Sequence, residues 1–103
     1  MNKTYVKICP VNDLEENQTK AFEIGDYNIL LAKHNGDVYA FENNCTHENL
    51  PLGEQKIIQR EIQCPRHGAR FDIKTGRAVQ FPAVVNIKIF ESKIEDDNVL
   101  VAL

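Results

Sequence analysis

The chain has no tryptophan, a single methionine, and no unbroken apolar run longer than the five residues from Val99 to Leu103. A bilayer-spanning helix needs about 20 apolar residues, so no membrane partner is expected. Lys3 and Lys7 sit near the N-terminus with no apolar stretch behind them, so no secretory signal is legible and a cytoplasmic protein is expected. A large excess of positive charge is also missing. The net charge is −3 over 103 residues, the wrong sign for a general nucleic-acid binder, so no nucleic acid is expected as a partner. Repeats, low-complexity tracts and linker-like stretches are absent too, and one domain covering residues 1–103 is expected. Cysteine is scarce and odd in number. Cys9, Cys45 and Cys64 cannot make a disulfide framework in pairs, which leaves metal binding or reactivity as the better use of some of them.

Sustained 3.6-residue periodicity is another absence, and short alternating segments take its place. Thr4 to Ile8 alternates and is closed by Pro10. Val11 to Glu16 fits a helical turn or an exposed loop. Lys20 to Ile24 alternates up to Gly25-Asp26. Ile29 to His34 and Asp37 to Phe41 flank Asn35-Gly36, the favoured type I′ hairpin pair. Ile57-Ile58 and Ile62 flank Gln59-Arg60 as a second short hairpin. Ala69 to Ile73 reads as a strand stopped by Lys74-Thr75-Gly76, and Val85 to Phe90 as another. Asp96-Asp97-Asn98 turns the chain into a last strand, Val99 to Ala102. Many short strands at short intervals predict an all-β sandwich or small barrel with little helix.

Charge is unevenly spread. Residues 54–77 carry three more basic than acidic groups, whereas the segments on either side are net acidic. Most surface charge is solvating, but this stretch surrounds the strongest motif in the chain. That motif has two parts, Cys45-Thr46-His47 and Cys64-Pro65-Arg66-His67, separated by residues 48–63. Each part offers one thiolate and one imidazole, so two loops could converge on one metal centre. Two Cys and two His suit a structural zinc ion by ligand type, and a zinc-stabilised, non-redox binding module is one reading. The spacing suits zinc poorly, because common zinc modules pair like residues within a loop. The mixture does suit two bridged irons, one holding both thiolates and the other both imidazoles.

Cys45-Thr46-His47 followed by Cys64-Pro65-Arg66-His67-Gly68 resembles the Rieske motif in both loops. Phe71-Asp72, Thr75-Gly76, Leu52-Gly53 and Phe81-Pro82 resemble the small bacterial Rieske ferredoxins. The resemblance implies a Rieske-like small β-sandwich or barrel with a cluster-binding subdomain formed by loops at about 43–53 and 63–72. It implies one 2Fe–2S cluster, with Cys45 and Cys64 on the inner iron and His47 and His67 on the outer one. Pro65 and Gly68 would shape the second loop for close approach of backbone amides. Two thiolates and two neutral imidazoles leave such a cluster neutral when oxidised. Reduction is therefore easier than with four thiolates, and potentials of roughly −150 to +300 mV result.

No nucleophile, flavin motif or substrate pocket is legible, so the expectation is a monomeric one-electron carrier and not an enzyme. The resemblance implies transfer from an NAD(P)H-dependent flavoprotein reductase to a terminal oxygenase of the aromatic-ring-hydroxylating type. The small Rieske subunit of a nitrite reductase, working with its large subunit, is the alternative. It also implies partly exposed imidazoles at the electron exit, framed by Thr46, Glu48, Asn49, Leu50, Pro51, Pro65, Arg66, Phe81 and Pro82. High-potential members of the family carry a disulfide between the loops, where Leu50 and Arg66 stand here. They also carry hydroxyl donors where Ala69 and Phe71 stand. A potential low in the range is therefore expected.

The remaining candidates read as structural. Cys9 reads as a small packing residue and His34 as an exposed neighbour of the hairpin turn. Tyr5, Phe22, Tyr27, Tyr39 and Phe90 read as core or sheet-edge residues.

Overall fold

Ile29 to Ala32 is apolar at four successive positions, a pattern that fits a strand covered on both faces better than one facing water. In a computed structural model that describes residues 4–46, 50–66, 68–83 and 85–103, this run lies in the middle of three antiparallel sheets. The strands of the first sheet are β1 (Tyr5–Pro10), β10 (Asn98–Ala102) and β9 (Ser92–Glu95), in that order across the sheet. The central sheet runs β2 (Gln18–Ile24), β3 (Tyr27–His34), β4 (Asp37–Glu42) and β8 (Ile89–Phe90). The third is made of β5 (Glu61–Gln63), β6 (Arg70–Asp72) and β7 (Ala78–Gln80). Among the described residues the helical element is a 3-10 turn at Val11–Asp13. The all-β expectation is met.

Period-2 alternation divides β3 between two apolar clusters. Ile29 and Leu31 join Cys9, Leu14, Ala40, Val99 and Val101, between the central sheet and the first. Leu30 and Ala32 join Phe41, Ile62, Phe71 and Ile73 on the side of the third sheet. Phe41 and Phe71 are fully buried, each stabilising the fold by about 1.5–3 kcal/mol. Both candidate ligands Cys45 and Cys64 fall in this second cluster.

The turns follow their chemistry. Asn35 and Gly36 have φ of 53° and 80° between the paired residues His34 and Asp37, the type I′ turn that the sequence predicts. Gln59-Arg60 makes a similar turn without a glycine, at φ 53° and 64°. Arg60 is anchored there by Nε and Nη2 hydrogen bonds to Asp72 at 3.1 and 2.9 Å.

Three details depart from expectation. β1 continues through Pro10, which an edge strand tolerates because the missing N–H is not needed by a second neighbour. Of Val85 to Phe90 only Ile89 and Phe90 enter a ladder. The Ile87 amide donates instead to the Gly76 carbonyl at 2.8 Å, and the Asn86 Oδ1 accepts from the Ala78 amide at 3.0 Å. The alternation that suggested a strand does not track burial either: of its in-phase residues Ile87 is inside, whereas Val85 is 59% exposed and Ile89 is exposed as well. Finally, β7 and β9 have no sequence signal. Ser92-Lys93-Ile94-Glu95 holds one apolar residue, itself exposed, and pairing with β10 makes it a strand.

Candidate metal centre

The two loops are closed by short backbone bridges. Cys45 lies just beyond β4, and its amide donates to the Leu50 carbonyl at 2.7 Å, bridging the two ends of the first loop. Cys64 follows β5; its amide donates to the Ala69 carbonyl at 2.6 Å and its carbonyl accepts from the Gly68 amide at 3.0 Å. This is the connection between β5 and β6. It passes through Gly68 at φ +78°, where an added Cβ would press on the Gln63 amide at 3.3 Å. A glycine is what this turn needs.

Each thiol is completely buried, and both lie in the same apolar cluster as Leu52, Ala69, Phe71 and Ala83. A thiolate charge is costly in apolar surroundings unless a metal neutralises it. Two soft donors meeting in such a place fit a thiolate-bound metal group. His47 and His67, the two imidazole candidates, lie outside the described residues, as do Glu48 and Asn49 of the expected rim. Among the described residues no group of three or more His, Cys, Asp or Glu side chains could hold a metal.

Around the loops the surface is apolar where expected. Leu50, Pro51, Pro65, Arg66 and Phe81 are exposed, Phe81 by 77%, whereas Thr46 and Pro82 are half-buried. Val79 and Val85 are exposed as well and were not anticipated. Two hydrogen bonds tie these segments together: Thr46 Oγ1 in the first loop donates to the Val85 carbonyl, between β7 and β8, at 2.6 Å, and Arg66 Nη2 in the second loop to the Pro51 carbonyl of the first at 3.1 Å. Sequence reasoning also missed Asn43. An asparagine between a strand and a loop is ordinary turn chemistry, and its buried role depends on which distant amides come near it.

The leftover residues behave mostly as read. Cys9 is buried in the other cluster, where burial, then Asp13, push its thiol pKa up against the pull of Lys20. His34 is a correction: it is half-buried, with Nδ1 at 2.7 Å from Asn17 Oδ1. Tyr5, Phe22, Tyr39 and Phe90 are partly buried on strands, and Tyr27 is exposed at the start of β3, an interior strand, with its ring packed edge-on against Phe90.

Comparison with known proteins gives this geometry a family. The model of the Rieske [2Fe-2S] domain matches residues 4–91. Human apoptosis-inducing factor 3 is 37% identical over 94 residues, covering 91% of this chain but 16% of that protein, so the chain spans about a sixth of that relative. The ferredoxin component of biphenyl 2,3-dioxygenase from Rhodococcus jostii (strain RHA1) is 35% identical, covering 94% of this chain and 91% of its own. The ferredoxin component of the naphthalene 1,2-dioxygenase system of Pseudomonas putida is 31% identical, with coverage of 100% and 99%. Among solved structures, the ferredoxin of carbazole 1,9a-dioxygenase from Nocardioides aromaticivorans IC177 superposes with a TM-score of 0.88 at 28% identity, covering 96% of this chain and 97% of that one. These matches replace the zinc reading. Two buried thiols held by paired loops, on a chain matched over nearly all its length, place this protein in the Rieske [2Fe-2S] domain family, whose cofactor is one 2Fe–2S cluster of the Rieske type.

Proposed function

We propose that this chain is a Rieske ferredoxin, a cytoplasmic monomer and one-electron carrier that takes electrons from an NAD(P)H-dependent flavoprotein reductase and delivers them to a terminal oxygenase. The observation that carries this reading is the alignment with ferredoxin components of two aromatic dioxygenase systems over 91–99% of their own length. The structural neighbours add a ferredoxin in complex with the oxygenase of carbazole 1,9a-dioxygenase, at 27% identity and a TM-score of 0.88. The whole chain then acts as one Rieske domain with ligand loops at about 43–53 and 63–72.

In this proposal Cys45 and Cys64 hold the inner iron and His47 and His67 the outer iron. When bound, the cluster supplies uptake and release of a single electron. The chain's own residues do the rest. The apolar cluster around Leu52, Ala69, Phe71 and Ala83 keeps water from the thiolates. Gly68 lets the second loop turn tightly. The exposed Leu50, Phe81 and Val85 offer a small apolar patch, and Arg66 a charged edge, suited to a weak and transient complex.

The test has two stages. Iron and acid-labile sulfide should each come to about two per chain, and Cys45→Ala, Cys64→Ala, His47→Ala and His67→Ala should each abolish the Rieske spectrum. The reduced protein, mixed anaerobically with an aromatic-ring oxygenase, should then be reoxidised within milliseconds to seconds. Reoxidation only by a nitrite reductase large subunit would overturn the oxygenase assignment.

A further inference from the structure

Asn43 is one of two buried polar residues among those described, at 8% exposure, and both ends of its carboxamide are hydrogen-bonded. Its Oδ1 accepts from two successive backbone amides, Leu52 at 2.9 Å and Gly53 at 3.0 Å. Its Nδ2 donates to Asn28 Oδ1 at 3.2 Å, and its own backbone amide donates to the Asn28 carbonyl at 2.9 Å. Asn28 belongs to β3, so the bonds run from the central sheet through Asn43 to the far end of the Cys45 loop. The positions on either side of this loop, Asn43 and Leu52-Gly53, are therefore strapped to each other.

We propose that Asn43 is a positioning residue for the metal centre: its carboxamide clamps the base of the Cys45 loop and fixes where Cys45 enters the buried cluster. The chemistry selects the residue. A carbonyl-type oxygen must accept two amides at once, and an N–H must face Asn28 Oδ1. An aspartate could do the first and not the second; an alanine could do neither and would strand the buried Leu52 N–H and the half-buried Gly53 N–H. Gly53, at φ +81°, brings its amide to the clamp in a backbone conformation that L side chains rarely adopt. The inference rests on Cys45 being a ligand, which the iron content of Cys45→Ala tests separately.

The experiment compares the holoprotein with Asn43→Ala, Asn43→Asp and, as a destabilised control in the other apolar cluster, Val99→Ala. Two readouts are taken: the rate of loss of the visible spectrum in excess chelator, and amide exchange by mass spectrometry over peptides spanning residues 50–54. Asn43→Ala should lose the cluster about tenfold faster than wild type, the scale of support lost when an outer partner is removed. It should also lose exchange protection at residues 52 and 53 while β10 stays protected. Asn43→Asp, which keeps both acceptor bonds, should recover protection and most of the retention. If Asn43→Ala does not fold, Asn43→Ser, whose single short hydroxyl cannot span both amides, is read the same way. The proposal is overturned if the truncated variant retains cluster and protection like wild type. It also fails if cluster loss is no faster than in Val99→Ala compared at equal distance below its melting temperature, or if Asn43→Asp restores neither readout.

Discussion

Ala69 and Phe71 are both fully buried in the cluster that contains Cys45 and Cys64, and neither carries a hydrogen-bond donor on its side chain. A donor aimed at a cluster sulfur or a ligand thiolate favours the more negative, reduced form, so its absence lowers the potential. Ala69→Ser and Phe71→Tyr should each raise the potential, on the order of tens of millivolts, as read by protein-film voltammetry. Correctly folded variants at or below the wild-type value would refute this. Asp72 gives a pH prediction. Burial raises its pKa, but the amides of Lys74 and Thr75 and the Arg60 guanidinium together hold it below the usual aspartate value. A depressed carboxylate contributes stability that is present above the unfolded-state pKa of about 3.9 and lost as pH falls through the lower folded-state value. Asp72→Asn should therefore cost about 1 kcal/mol at neutral pH, and its gap from wild type should narrow in melts taken below about pH 4.

At the scale of elements, two glycines with nearly the same φ should respond differently. Gly36, at φ +80° in the β3–β4 turn, has nothing within 4 Å of an added Cβ. Gly76, at φ +76°, would drive a Cβ into the carbonyl oxygen of Ile87, the residue whose amide bonds back to the Gly76 carbonyl at 2.8 Å. Gly36→Ala should cost about 1 kcal/mol, the ordinary left-handed penalty, whereas Gly76→Ala should cost roughly 3 kcal/mol because backbone must move. Denaturant melts that rank the two equally would contradict the close approach. The elements were unevenly legible in the sequence for a related reason. Asn35-Gly36 announces its turn because both residues tolerate positive φ. Gly76 looks like any turn glycine, and its packing against residue 87 is a tertiary fact. Likewise β9 has no alternation of its own and exists because β10 offers it a partner.

For the molecule as a whole, the basic excess over residues 54–77 lies in the part that holds the second ligand loop. Some of it is locally matched: Arg60 pairs with Asp72 at 2.9 Å and Arg70 with Glu61 at 3.4 Å. Arg66 is exposed between Cys64 and His67, and an acidic partner would be steered toward it. Arg66→Glu should slow electron delivery severalfold at low ionic strength and far less at high salt, because screening removes steering beyond about 10 Å. A salt-independent effect would instead report loss of the Arg66 bond to the Pro51 carbonyl. The sequence by itself determined the all-β class, the I′ hairpin and the four candidate ligands, because alternation, turn chemistry and ligand spacing are local properties of a chain. It also determined the family, since both ligand motifs are contiguous. Only the tertiary structure decided that β3 divides two cores, that Cys45 and Cys64 share one of them while Cys9 lies in the other, and that Asn43 straps the first loop. Those outcomes depend on which distant segments pack together, and burial is a property of the packed chain that no short window of sequence contains.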